Sequence, residues 1–208
     1  IENKIFKPIY YGASAFRTQI KIKDISNFNS NNISLIMGSN SHLVVYPINQ
    51  SKELNVVYVI KKILETNGDI NQVLNNTIFK ENKNIADSFA TVSKSWPLYI
   101  SSKPTKSIYK NVFYIGDAFY TFPPTMAQGA SQAIESAYEI FNLIVEKNSD
   151  IQNVYFSNRE KRTNLIIKRS KLNFFIFHIS NKILQNLRNN IIKILVKNKK
   201  FINSYLGK

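Results

Sequence analysis

Tyr114-Ile115-Gly116-Asp117-Ala118, then Phe119-Tyr120-Thr121-Phe122-Pro123-Pro124-Thr125-Met126-Ala127, then Gln128-Gly129-Ala130-Ser131-Gln132-Ala133-Ile134-Glu135-Ser136-Ala137 is the run that decides how the chain is read. Val112-Phe113-Tyr114-Ile115 is continuously apolar, which predicts a strand buried on both faces. It stops at Gly116-Asp117, so one carboxylate stands at the carboxyl end of a sheet, where open sheets bind ligands. A carboxylate there is suited to accept hydrogen bonds from a polyol. The spacing then predicts a helix from Gly129 to about Lys147, with Ala130, Ala133, Ile134, Ala137, Phe141, Ile144 and Val145 on one face. Small residues in its first two turns let a backbone or a ligand approach, and the free N–H groups around Ala130 and Ser131 favour partial negative charge. Pro123-Pro124 stiffens the intervening loop and offers an apolar edge to a flat ring. A polyol acceptor, a rigid apolar edge and an anion-stabilising helix start together describe a flavin with its ribityl chain. On spacing alone, an ordinary strand–loop–helix unit with a chance Gly-Asp is the alternative.

Working outward, residues 1 to about 105 read as short strands joined by polar loops. Ala15 to Ile22 alternates with the period of a half-buried strand. An Asn/Ser loop over 26–32 precedes Ile33 to Met37, and the turn cluster Gly38-Ser39-Asn40-Ser41 leads into His42 to Ile48. Asn49 to Lys52 then links to Glu53–Ile60, which predicts a hairpin in an antiparallel sheet. Residues 69–90 read as helical, with Ile70, Val73, Leu74 and Ile78 at helical spacing, and Ser95 to Tyr99 as extended, since Trp96 precedes a proline. From about 150 onward the chain reads as helical and basic, with Leu184, Leu187, Ile191, Ile194 and Leu195 forming an apolar seam. No internal repeat is visible.

Composition bounds what this can be. The 208 residues, 44% hydrophobic and 20% charged, suffice for a core and fit one or two domains. The absence of cysteine excludes disulfides, thiolate metal sites, iron–sulfur clusters and cysteine nucleophiles, and no metal is expected. No apolar run reaches the ~18 residues of a spanning helix. The net charge is +15, and residues 151–208 hold 13 basic side chains against one acidic, Glu160. Such a tail suits nucleic acid or an anionic membrane surface. The plain alternative is an AT-rich codon bias, with 23 Lys to 5 Arg. The first residue is Ile, and the simplest expectation is a piece of a longer reading frame.

The quoted block resembles the second FAD motif of the single-component aromatic-ring hydroxylases, FAD-dependent monooxygenases of the para-hydroxybenzoate and salicylate hydroxylase type that include ubiquinone-biosynthesis hydroxylases. Their usual pattern is G-D-A-A-H-P-x-x-P-x-x-x-Q-G-x-x-x-A-I-E-D-A. Ala15-Phe16-Arg17 resembles the family's A-W-R-G strand, Gly38 through His42 to Ile48 its G-x-x-x-H-x-x-x-Y-P-[LIV] strand, and Trp96 to Tyr99 its W-x-L-Y. The likeness covers most of 10–180. Phe119-Tyr120-Thr121 departs from the usual Ala-His-Pro, and Glu135-Ser136 from Glu-Asp. No G-x-G-x-x-G follows a strand anywhere, so the chain resembles the C-terminal half of such an enzyme.

The resemblance implies an α+β chain: the α/β FAD-binding fold of the para-hydroxybenzoate hydroxylase type without its N-terminal Rossmann part, an antiparallel-sheet substrate domain and C-terminal helices. The expected divisions are a substrate sheet over 1–105, FAD-binding residues over 106–147 and basic helices over 148–208. By position, Asp117 after Gly116 would accept from a ribityl hydroxyl. The N–H groups of Ala130 and Ser131, with Gly129 allowing approach, would meet the N1/C2=O edge of the ring, and Pro124 would line it. His42, Val44 and Tyr46 share a strand face; His42 and Tyr46 are the catalytic candidates for orienting or deprotonating a phenol, against a core histidine and a packing tyrosine. Arg17, Tyr46 and Thr125 are the pocket candidates, with a sheet-surface cation as the alternative for Arg17. His178 shows no chemical partner and reads as structural.

The implied reaction uses FAD, NADH or NADPH and O₂ to hydroxylate a small aromatic ring through a flavin hydroperoxide. The alternatives are a non-hydroxylating flavin oxidoreductase of the same fold and a basic membrane- or partner-docking module. A cytoplasmic location is expected, with weak peripheral contact at the inner face of the membrane through the basic helices and no nucleic-acid partner. Alone, the 208-residue chain is expected to hold FAD poorly.

Overall fold

The computed structural model describes residues 8–25, 31–61, 77–80, 83–90, 92 and 94–206. Contacts divide them into two compact units. One holds 8–15 and 95–175; the other holds 16–25, 31–61, 77–80, 83–90, 92, 94 and 176–206. The units cut across the sequence order because strand β1 (Ile9–Lys21) and a long helix over Ile151–Phe177 both begin in the first and end in the second.

In the second unit β2 (Ser34–Met37), β3 (Ser41–Ile48), β4 (Glu53–Lys61) and the end of β1 lie in the order β2-β3-β4-β1. The turns account for the register. Gly38 N–H donates to the Ser41 carbonyl at 2.9 Å, with Asn40 left-handed at φ 54°. Asn49, Gln50 and Ser51 all have positive φ between β3 and β4, and Lys52 N–H closes that turn on Asn49 at 3.2 Å. Leu43 opposes Tyr58 and Val45 opposes Val56, so these residues share one face, as antiparallel pairing requires. Helices α1 (Thr77–Lys80) and α2 (Lys83–Ser88) supply Phe79 and Ile85 to the core, and Tyr58 packs on Phe79 and Phe89 at 4.8 and 6.4 Å between ring centroids. The hairpin and the strand at Ser34–Met37 match the sequence reading. Of the helical reading over 69–90, Ile70, Val73 and Leu74 lie outside the described residues, as does 26–30 of the Asn/Ser loop.

In the first unit the start of β1 pairs antiparallel with β5 (Trp96–Ile100), Tyr10 opposite Tyr99. Helix α3 (Gly129–Val145) packs beside α4 (Ile151–Phe177), and two further helices, α5 (Lys182–Leu195) and α6 (Lys199–Leu206), follow in the second unit. The first unit's core gathers Phe119, Tyr120, Leu143 and Tyr155. Phe119-Tyr120, a departure from the family pattern, is therefore core packing: the Phe119 ring lies 6.1 Å from Tyr155 and 5.7 Å from Phe156.

One expectation is corrected by the structure. Val112 to Ile115 is not a strand buried on both faces: it joins no ladder, and Val112 and Ile115 are exposed. It is held instead from one side, where Tyr155 donates to the Tyr114 carbonyl at 2.7 Å and its ring meets Phe113. The apolar stripe of α3 points outward, with Ile134 71% and Phe141 60% exposed, while Gln132, Ser136 and Leu143 are buried. The cause is α4, whose inner stripe carries polar groups that pair with the polar side of α3.

Candidate functional site

Ile115 is extended, Gly116 turns to φ +52°, and a 3-10 turn over Gly116–Ala118 follows, with Phe119 and Tyr120 N–H both donating to the Gly116 carbonyl at 3.0 Å. Glycine is required twice over. Its φ is left-handed, and a Cβ there would lie 3.0 Å from the Cβ of Ala133 on α3. The turn therefore sits directly against the helix and leaves Asp117 exposed.

Asp117 borders a cavity of about 300 Å³ together with Tyr99, Ser101, Lys103, Thr105 and Thr121. Backbone lacing shapes it. Ser101 N–H donates to the Thr121 carbonyl and Thr105 N–H to that of Phe119, both at 2.9 Å, and Thr121 N–H returns a bond to Ser101 Oγ at 3.0 Å. One carboxylate, one ammonium and several hydroxyls form a lining suited to a polyol with an anionic group.

In the same unit, Pro123 is buried and Pro124 exposed, Ala127 is left-handed at φ 51°, and α3 begins. Its N-cap, Gln128, makes no side-chain capping bond, the first turn has no acidic residue, and Gly129, Ala130 and Ser131 are exposed. A Cβ on Gly129 would meet nothing within 4 Å. The start of α3 thus keeps both its partial positive charge and open space in front of it. These residues fit a flavin: an acceptor at Asp117, uncapped amides, and room where a ring could approach.

Sequence reasoning missed what holds α3 in place. Arg159 on α4 is 4% exposed; its guanidinium donates to the Gln132 side chain and lies 3.4 Å from Glu135 and 3.6 Å from Glu139. Arg162 grips both oxygens of Glu135 at 3.1 Å. Burial alone would raise the Glu135 pKa, but the bonds from Arg162 and Gln132 and the charges of both arginines outweigh it and hold the carboxyl below its usual range. Gln132 in turn donates to Gln128 at 3.4 Å, so the clamp reaches the N-cap. The only signal in the sequence was Glu135 within the motif, since nothing there pairs it with residues 159 and 162. Thr125 staples the proline loop to α4: its hydroxyl donates to the Ser170 carbonyl at 2.7 Å and its own carbonyl accepts from Asn173 at 3.2 Å.

In the second unit, His42 opposes Met37 and Val59, Val44 opposes Leu35 and Val57, and Tyr46 opposes Asn55, so the three share the face opposite Leu43 and Val45. Val44 and Tyr46 are half-buried and His42 is buried. Arg17 is exposed on β1. The reading of His178 as partnerless is overturned: its Nε2 lies 3.1 Å from His42 Nδ1, in a buried contact. Burial first, and the second imidazole next, lower the His42 pKa to about 3, so the ring is neutral at ordinary pH.

No protein-family model and no curated protein matches the sequence. Solved structures do match in fold, and they are flavin monooxygenases. A salicylate hydroxylase–substrate complex aligns over 90% of this chain and 54% of its own, with a TM-score of 0.70 at 16% identity. A variant of Klebsiella pneumoniae HpxO complexed with FAD aligns over 89% and 52%, with a TM-score of 0.70 at 12% identity. PqsL of Pseudomonas aeruginosa, described as a probable FAD-dependent monooxygenase, aligns over 85% and 51%, with a TM-score of 0.62 at 15% identity. The chain has the fold of the substrate-binding and C-terminal part of these enzymes and spans about half their length.

Proposed function

We propose that this chain supplies the substrate-binding sheet and part of the FAD site of a monooxygenase that uses NADH or NADPH and O₂ to hydroxylate a small aromatic ring. The observation that carries the reading is the pairing, within one unit, of an exposed Asp117 on the Gly116 turn with the uncapped start of α3. Asp117 accepts a hydrogen bond from a ribityl hydroxyl. The N–H groups of Ala130 and Ser131 face the N1/C2=O edge of the ring and stabilise negative charge there, and Pro124 lies along it. When bound, the flavin supplies the transfer of electrons from the nicotinamide and the activation of O₂. On the sheet, Tyr46 and His42 orient the phenol by hydrogen bonds, with Arg17 at the strand surface attracting an anionic substituent. The test is O₂ uptake with NAD(P)H by the protein expressed from its complete reading frame. Uptake that rises with an aromatic substrate and yields hydroxylated product is expected. Nicotinamide oxidation without product would favour the non-hydroxylating oxidoreductase instead.

A second reading is favoured by the C-terminal helices. Ile183, Leu184, Leu187, Ile191 and Ile194 are exposed on α5, beside Lys182, Lys193 and Lys197. Among the described residues no helix is long and apolar enough to cross a membrane, so the contact is peripheral, with an anionic bilayer at its cytoplasmic face. Co-sedimentation with phosphatidylglycerol vesicles that weakens with salt is expected; binding equal to that on neutral vesicles would remove the electrostatic basis.

A further inference from the structure

The sequence contains two histidines, 136 positions apart, and the fold puts one against the other. His42 comes from the middle of the sheet, 3% exposed, flanked across β2 and β4 by the apolar Met37 and Val59. His178 stands just past the end of α4, 2% exposed. Its backbone is held on both sides. Arg188 donates to the Ile176 carbonyl at 3.1 Å, Gln185 to that of Ile179 at 2.7 Å, and Asn181 caps α5 by accepting from Ile183 and Leu184 N–H. Phe177 lies edge-on to His42, with ring centroids 5.3 Å apart. A turn fixed by this many bonds, ending in an imidazole 3.1 Å from another, is a built contact rather than incidental packing.

We infer that His178 is a positioning residue for His42: it occupies the Nδ1 side of that ring and leaves Nε2 as the nitrogen offered to a ligand. Between two neutral imidazoles one N–H must donate and one bare nitrogen must accept. With the proton on His42 Nδ1, donated to His178 Nε2, the His42 Nε2 is an acceptor. A phenol hydroxyl can then donate a hydrogen bond to His42 Nε2 and be oriented by it, with no proton transferred to the buried ring. The charged group bonded beside the turn is Arg188, whose guanidinium faces the Ile176 carbonyl; Met37, Val59 and Phe177 bring no titratable group to the pair. This orienting role rests on the reading of His42 as substrate-facing given above, whereas the tautomer can be tested without flavin or substrate.

Long-range ¹H–¹⁵N correlation spectra of the 208-residue chain resolve the four ring nitrogens, assigned with His42→Phe and His178→Phe. The wild type is expected to show His42 protonated at Nδ1 and bare at Nε2, with that ring not titrating between pH 5 and 8. In His178→Phe, with its circular dichroism unchanged, His42 loses its single tautomer and becomes a mixture. Finding His42 protonated at Nε2, or titrating near the free-histidine value, overturns the proposal. So does a His42 tautomer that His178→Phe leaves unchanged, which would mark the contact as packing only. If that variant does not fold, the wild-type spectra decide alone. Failure of the hydroxylase reading, seen as O₂ uptake that no aromatic substrate stimulates, leaves these spectra as they are, so the two failures are distinguishable.

Discussion

A methyl group added at position 116 would meet Ala133 Cβ at 3.0 Å on a backbone already at φ +52°. Gly116→Ala is therefore expected to cost about 1–2 kcal/mol from the left-handed conformation alone, with the contact adding to it. A thermal melt measures this, and loss of Asp117 alignment should follow. At the same scale, His42 gives a signed pH effect. Its folded pKa of about 3 lies below the unfolded value, so on acidification the unfolded chain takes up a proton that the native one refuses. Stability is unaffected by this group at pH 8, begins to fall near pH 6.5, and falls at up to about 1.4 kcal/mol per pH unit toward pH 3. His42→Phe should flatten that part of a denaturation series taken across pH; an unchanged slope would assign it to the carboxylates. Asp117, Gly116 and the open helix start were legible as a motif because each is demanded locally. The His42–His178 contact was not, since nothing in either segment points to the other.

At the scale of elements, the buried stripe of α4 is Tyr155, Arg159, Thr163, Ile166, Ser170 and Phe174. Polar and apolar residues alternate along it, so the helix has no hydropathy pattern by which to assign its inner face. On α3 likewise the polar side, Gln132 and Ser136, is buried, Gln132 against Arg159, while the apolar face is exposed. Replacing Arg159 by Met is expected to destabilise the chain by about 2–3 kcal/mol. That is less than a fully buried pair would lose, because Glu135 and Glu139 keep partial exposure and Glu135 keeps Arg162. Urea unfolding measures it, and a loss below about 0.5 kcal/mol would mean that α3 is held by packing alone. The antiparallel strands were read correctly because turn residues and period-2 alternation are local signals. Val112 to Ile115 was misread because a continuous apolar run states only that burial is wanted, and not by which partner.

At the scale of the molecule, Ile134, Tyr138, Phe141, Ile144 and Val145 on α3, together with Ile115 and Val112, expose apolar side chains within one unit. Exposed apolar side chains gathered on one helix form a surface for association. The 208-residue chain alone is then expected to self-associate, and Ile134→Lys with Phe141→Glu should make it monodisperse in sedimentation without lowering its melting temperature by more than a degree or two. A large drop in melting temperature would show that the face is already packed. The central claim is that Asp117 and the start of α3 hold a flavin, and the most direct measurement is the FAD bound per chain by the protein expressed from its complete reading frame. The account predicts about one FAD in the wild type, and in Asp117→Ala an affinity lower by roughly 10- to 100-fold, as loss of one charge-assisted hydrogen bond implies. A folded wild-type protein with no flavin, or an Asp117→Ala protein that binds it equally well, would contradict the account.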